Sequence, residues 1–114
     1  MAARYGGEEF ALIMPIRHPA APKDIAQRTE VIRQQLVDSL RVERQGVILS
    51  TTASMGIAII SRDDNVTTLK AAYDLADAAL YRAKKAGKDQ GVLYLGQDVE
   101  GRPLFEKITL SLTP

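Results

Sequence analysis

The chain has 114 residues, of which 46% are hydrophobic and 25% charged. This is the balance of one soluble domain that buries roughly 65% of its unfolded surface. A formal net charge of +1 predicts no nucleic-acid partner and no contact with an acidic membrane surface. The absence of cysteine excludes disulfides and thiolate metal sites and fits a reducing, cytoplasmic setting. No apolar run approaches the ~20 residues of a membrane span, and charges at Arg4, Glu8 and Glu9 interrupt any signal-peptide pattern.

The first element in chain order is a hairpin. "ARY", "GGE" and "EFALIM" read as strand, glycine turn and strand. "RHPAAPK", residues 17–23, carries two prolines and reads as a connector. Ile25, Thr29, Ile32, Leu36 and Leu40 recur at helical spacing, which predicts a helix over Lys23 to Val42 that ends at "RQG".

The period then changes to two. Val47, Leu49, Ala53, Met55, Ile57 and Ile59 share one face of a strand over Val47 to Ile60. The small and polar Ser50, Thr52, Ser54 and Gly56 share the other, with Ile48 and Ile60 at its ends. "SRDDN" is a turn, after which Thr67 or Thr68 can cap a second helix. That helix carries the stripe Leu69, Ala72, Tyr73, Ala76, Ala79, Leu80 and Ala83, and Gly87 is placed to end it in a left-handed conformation. "VLYL" (92–95) is a short strand, "GQDVEGRP" a loop and "LFEKITLSL" (104–112) a further strand.

Two places carry chemistry. Adjacent Gly6 and Gly7 permit positive φ and leave bare backbone. That suits a tight turn, and it also suits close approach by a bulky anion. Glu8 and Glu9 follow, and neighbouring strand residues point to opposite faces. Glu8, at the tip, is the better ligand for a hard cation such as Mg²⁺, which takes oxygen donors. The second place is "ALYRAKKAGKDQ", residues 79–90. Lys84 and Lys88 share a face if the helical path continues through the C-cap. They can complement the helix dipole or hold phosphate oxygens. His18 reads as a solvated loop residue. Ser54 has no partners for a triad, the tyrosines at 73, 81 and 94 read as packing residues, and Gly56 reads as a site of close backbone packing.

Taken together, "RYGGEEF", "TTASMGIAI" and "ADAALYRAKKAGKDQ", in that order, resemble the GGDEF (GGEEF) domain of bacterial diguanylate cyclases. The resemblance runs from about Ala3 to about Tyr94 and divides the chain into residues 1–96, the C-terminal part of such a domain, and 97–114, a tail with an extra strand. It implies an α/β (α+β) palm-like nucleotide-cyclase fold: a mixed or antiparallel sheet with helices packed on it, here lacking the family's first strand and the helices after it. It also implies condensation of two GTP molecules into cyclic di-GMP with release of pyrophosphate. Mg²⁺ or Mn²⁺ would assist, in a homodimer of domains that each bind one GTP.

By the same resemblance Gly6 and Gly7 lie against phosphates, Glu8 ligates metal, and Glu9 lies next to the metal site or near the reacting hydroxyl. Lys84 and Lys88 contact phosphates. Lys88 stands where the family has Arg, and Asp89 where it has Asn. The family's other metal-binding Asp, its guanine-reading Asn and Asp, and its Arg-x-x-Asp inhibitory motif precede the hairpin. Met1 is only five residues ahead of Gly6. The expectation is therefore an isolated chain without cyclase activity. The alternative is a degenerate, non-catalytic module that binds nucleotide or protein. Unpaired strand edges predict a dimer, with the tail strand filling part of the gap.

Overall fold

The computed structural model describes residues 2–4, 10–12, 22–60 and 68–110. Strands β1 (Ala2–Arg4) and β2 (Phe10–Leu12) pair antiparallel, with Ala2 opposite Leu12 and Arg4 opposite Phe10. These are the two arms of the expected hairpin. Its tip, residues 5–9, lies outside the described residues, as do His18, the "SRDDN" turn and Thr67.

Helix α1 spans Pro22–Ser39. Pro22 occupies the first helical position, where a missing N–H costs nothing and the fixed φ already suits the helix. Asp24 in the first turn complements the dipole. The helix stops short of the expected Val42. Leu40 N–H still reaches Leu36 O at 3.1 Å, but Val42 begins strand β3 (Val42–Arg44). This strand turns at Gln45 and Gly46 into β4 (Val47–Leu49). Gln45 and Gly46 both have positive φ, 51° and 80°, as a two-residue hairpin turn matching strand twist requires. "RQG" is thus a hairpin turn rather than a helix stop. The single strand expected over Val47 to Ile60 is two, β4 and β5 (Met55–Ala58). Their partners belong to separate sheets, so the chain leaves one ladder before joining the other.

The main sheet has the order β5-β6-β7, where β6 is Gly91–Gln97 and β7 is Pro103–Lys107. β5 runs parallel to β6, with Met55 opposite Gly91. β7 runs antiparallel to β6, with a bulge between Tyr94 and Gly96 where Gly96 takes φ 107°. The tail strand is therefore a member of this sheet, shorter than the expected 104–112 and started by Pro103. On the other side of β5 no strand pairs among the described residues.

Helix α2 spans Leu69–Lys85. Thr68 is its N-cap: with extended backbone (φ −130°, ψ 153°), its hydroxyl accepts the Ala71 N–H at 3.0 Å. Thr68→Ala is expected to cost about 1 kcal/mol of stability, read as a lower urea midpoint with an unchanged slope. At the other end Lys88 N–H reaches back to Ala83 O at 2.9 Å, and Gly87 has φ 118°. This is a left-handed helix termination, as expected for Gly87.

The architecture is a mixed α/β layering, built around β6. Val92 and Leu93 are adjacent, point to opposite faces, and are both buried. Val92 packs with Ala79 and Ala83 of α2, along with Tyr94 and Phe105. Leu93 packs with Ala26 of α1 and Ile108, and Ile57 and Ile59 lean on the same cluster. The two faces read along 47–60 hold within β5. The apolar face goes to the α1 side, and the small face receives α2 on Gly56.

The expected α1 stripe is displaced by one position. The buried line is Ala26, Glu30 and Arg33, whereas Ile32, Leu36 and Leu40 remain 50%, 46% and 46% exposed. The inward face is polar: Arg33 reaches Asp89 on the loop after α2, and Glu30 turns inward to meet Arg33.

Candidate functional site

The end of α2 and the turn into β6 carry the second group of expected site residues. α2 closes on Arg82, Lys84 and Lys85, three cations at the negative end of the dipole. Two of them have aromatic partners. The Arg82 guanidinium lies 4.9 Å from the Phe105 ring centroid and the Lys85 ammonium 5.4 Å from that of Tyr81. Phe105 in turn stands edge-on to Tyr94 at 5.9 Å. Tyr94 is thus a packing residue, whereas Tyr81 is 59% exposed and lies on the surface. Lys84 is exposed on the last turn.

Lys88 is exposed too, but it does not continue the helix. The helical path ends at Lys85, and residues 87–89 all take positive φ: 118°, 63° and 51°. The four-residue spacing of Lys84 and Lys88 therefore does not put them on one helical face. The left-handed turn fixes where Lys88 starts from.

That turn is gripped from three sides. The Gln90 amide donates to Lys88 O at 3.2 Å and to Ala86 O at 3.3 Å. Asp89 N–H donates to the Ser54 hydroxyl at 3.2 Å, so Ser54 is a turn-holding residue. The Asp89 carboxylate accepts from Arg33 Nη1 at 2.7 Å.

Arg33 is the centre of this arrangement. Its side chain is only 7% exposed and that of Glu30 4%. Glu30 takes hydrogen bonds from Arg33 Nε at 2.9 and 3.1 Å and from Nη2 at 2.6 Å. Nη1 also donates to Ala53 O at 3.0 Å. The hydrogen bonds that Arg33 donates to Glu30 first, then that to Asp89 and the charges of both carboxylates, hold the Arg33 guanidinium even more firmly protonated than usual, against the opposing effect of burial. One guanidinium thereby ties α1, the segment before β5 and the turn after α2. Periodicity could not find this pair, because charged residues at i and i+3 read as a solvated face.

Gly6, Gly7, Glu8 and Glu9 lie outside the described residues. Among the described residues no group of three or more His, Cys, Asp or Glu side chains is arranged to hold a metal ion. Among the described residues no helix is long and apolar enough to cross a membrane.

The family model described as diguanylate cyclase, GGDEF domain, matches residues 1–90, a span that holds the hairpin and the turn at Lys88. Diguanylate cyclase DgcP of Pseudomonas aeruginosa is 33% identical over 88 residues, covering 77% of this chain and 12% of that protein. Diguanylate cyclase A of Treponema denticola is 32% identical over 92 residues, covering 81% of this chain and 23% of its own length. The biofilm architecture maintenance protein MbaA of Vibrio cholerae is 31% identical over 112 residues, covering 94% of this chain and 13% of its own. The chain thus spans less than a quarter of the length of these relatives. No solved structure matches it. The ordered motifs, the matched span and these identities together make the chain a member of the diguanylate cyclase GGDEF-domain family.

Proposed function

We propose that this chain forms the phosphate- and metal-binding part of a palm-like diguanylate cyclase domain. The observation that carries this reading is the family match over residues 1–90, with Gly6, Gly7, Glu8, Glu9 and Lys84 as the family pattern has them. The reaction is the joining of two GTP molecules held by two facing domains. A ribose hydroxyl of each bonds to the α-phosphorus of the other, and pyrophosphate leaves. Bare backbone at Gly6 and Gly7 admits the triphosphate. Glu8 holds Mg²⁺ or Mn²⁺, and Glu9 lies beside that site or near the attacking hydroxyl. Lys84 and Lys88 take phosphate oxygens as mobile point charges. A bound cation neutralises the triphosphate, and the protein supplies position and charge.

The 114 residues on their own are expected to bind nucleotide without turning it over, because Glu8 alone makes a poor Mg²⁺ site. The test is calorimetry of the chain with GTP, with and without Mg²⁺, beside an assay for cyclic di-GMP. Binding is expected only with Mg²⁺, and Glu8→Gln is expected to weaken it at least tenfold. No cyclic di-GMP above background is expected. Absence of metal-dependent binding would overturn the phosphate and metal assignment and favour a degenerate module. Cyclic di-GMP in the assay would overturn the claim of inactivity.

A further inference from the structure

We propose that Arg33 is a positioning residue for Lys88 and acts on it through Asp89. This rests on the reading of Lys88 as a phosphate contact, and the experiment below separates the two.

Left-handed backbone is disfavoured at residues with a side chain, since Cβ crowds the following carbonyl. Here it occurs at two in succession, Lys88 and Asp89, directly after Gly87. Something must hold them there. The Gln90 amide holds the carbonyl of Lys88. The next residue is clamped at two of its polar groups: Asp89 N–H by the Ser54 hydroxyl at 3.2 Å, and the carboxylate by Arg33 at 2.7 Å.

The Arg33 end of this clamp does not move freely. Its guanidinium is buried, with three hydrogen bonds to Glu30 and one to Ala53 O. A planar fork satisfied on several edges has one orientation, which an ammonium would not reproduce. The result is a fixed root for an exposed lysine. Lys88 leaves the turn from a backbone position set by α1, while its long side chain stays in solvent. The ion pair also puts a positive charge against the Asp89 carboxylate, the nearest anion in sequence to Lys88, where an anionic ligand would otherwise be repelled.

The experiment titrates the full chain with GTP in Mg²⁺ by calorimetry. Its variants are Lys88→Ala, Asp89→Ala, Arg33→Lys and the double variant Lys88→Ala with Asp89→Ala. Asp89→Ala is expected to weaken GTP binding about tenfold, as Lys88→Ala does, and the double variant no further than either alone. The sign is diagnostic. Coulomb's law alone predicts that deleting a carboxylate beside an anion site tightens binding. Tighter or unchanged binding by Asp89→Ala, with Lys88→Ala weakened, would overturn the proposal.

A second readout needs no ligand. The amide–Hα coupling and Cα chemical shift of Lys88 report its left-handed backbone. Both are expected to move in Asp89→Ala and Arg33→Lys and to stay in Asp89→Asn, which keeps an acceptor and tolerates positive φ. Should Lys88→Ala leave GTP binding intact, the phosphate reading of Lys88 fails and the Lys88 resonances alone decide. Unchanged resonances in both Asp89→Ala and Arg33→Lys would overturn the positioning role.

Discussion

Gly56→Ala is expected to destabilise the domain by about 3 kcal/mol or more, at or above the upper end of what overpacking ordinarily costs. The reason is space. A Cβ on Gly56 would lie 2.2 Å from Ala76 O, 2.2 Å from Leu80 N and 2.8 Å from Leu80 Cα. All three are backbone atoms of α2, and a helix backbone cannot step aside as a side-chain tip can. Room for one methyl group would come only from lifting α2 off β5. That movement would also loosen Ala79 and Ala83 from Val92, the core on that face. Gly91→Ala is the informative comparison. Its Cβ would meet Glu30 Oε2 and Ile108 Cδ1, each at 3.0 Å. These are side-chain ends rather than helix backbone, and both contacts are longer than those at Gly56, so the loss should be smaller. Urea denaturation followed by circular dichroism measures both. A Gly56→Ala midpoint close to that of the unaltered chain would mean that α2 does not sit on β5 as closely as described.

Gly56 also shows what one sequence can reveal. Alternation along 47–60 separated an apolar face from a small one, and the small face is where a helix backbone lies on β5. The arms of the hairpin, α2 with its Thr68 cap and Gly87 termination, and a strand at 92–95 were legible for the same reason. Each depends on local chemistry or a clean period. The segment 40–54 was not legible, because its periodicities run on across structural boundaries. Leu40 extends the helical spacing past Ser39, and alternation continues from Leu49 to Met55 across a change of sheet. The antiparallel pairing of β3 with β4 and the positive φ at Gln45 and Gly46 show that the chain reverses there. The candidate site divides similarly. Its motif residues were readable by resemblance, whereas the support beneath Lys88 was not. Arg33 pairs with a partner 56 positions along the chain, and no window of local pattern spans that distance.

Removing either member of the Glu30–Arg33 pair is expected to cost about 3–5 kcal/mol, because each would leave its partner buried without compensation. In Arg33→Ala the Glu30 carboxylate loses all three guanidinium hydrogen bonds and keeps only a long contact from the Gln34 amide at 3.4 Å. In Glu30→Ala the guanidinium keeps Ala53 O and Asp89, but Asp89 is half exposed and its attraction is screened. The Glu30→Ala loss should therefore be the smaller of the two. Neither loss measures what the pair contributes. Bringing both charges out of water costs several kcal/mol, so a matched apolar replacement can come close to the original stability. Glu30→Met combined with Arg33→Met is the discriminating variant. It is expected to recover most of the stability lost by either single alanine change while still releasing Asp89. A double-mutant cycle on urea midpoints measures the coupling, which should be favourable by more than about 1 kcal/mol. A coupling near zero would mean that the two side chains do not share a buried site. If the methionine pair matches the unaltered chain in stability yet shifts the Lys88 resonances, the ion pair holds the turn in place more than it holds the fold together.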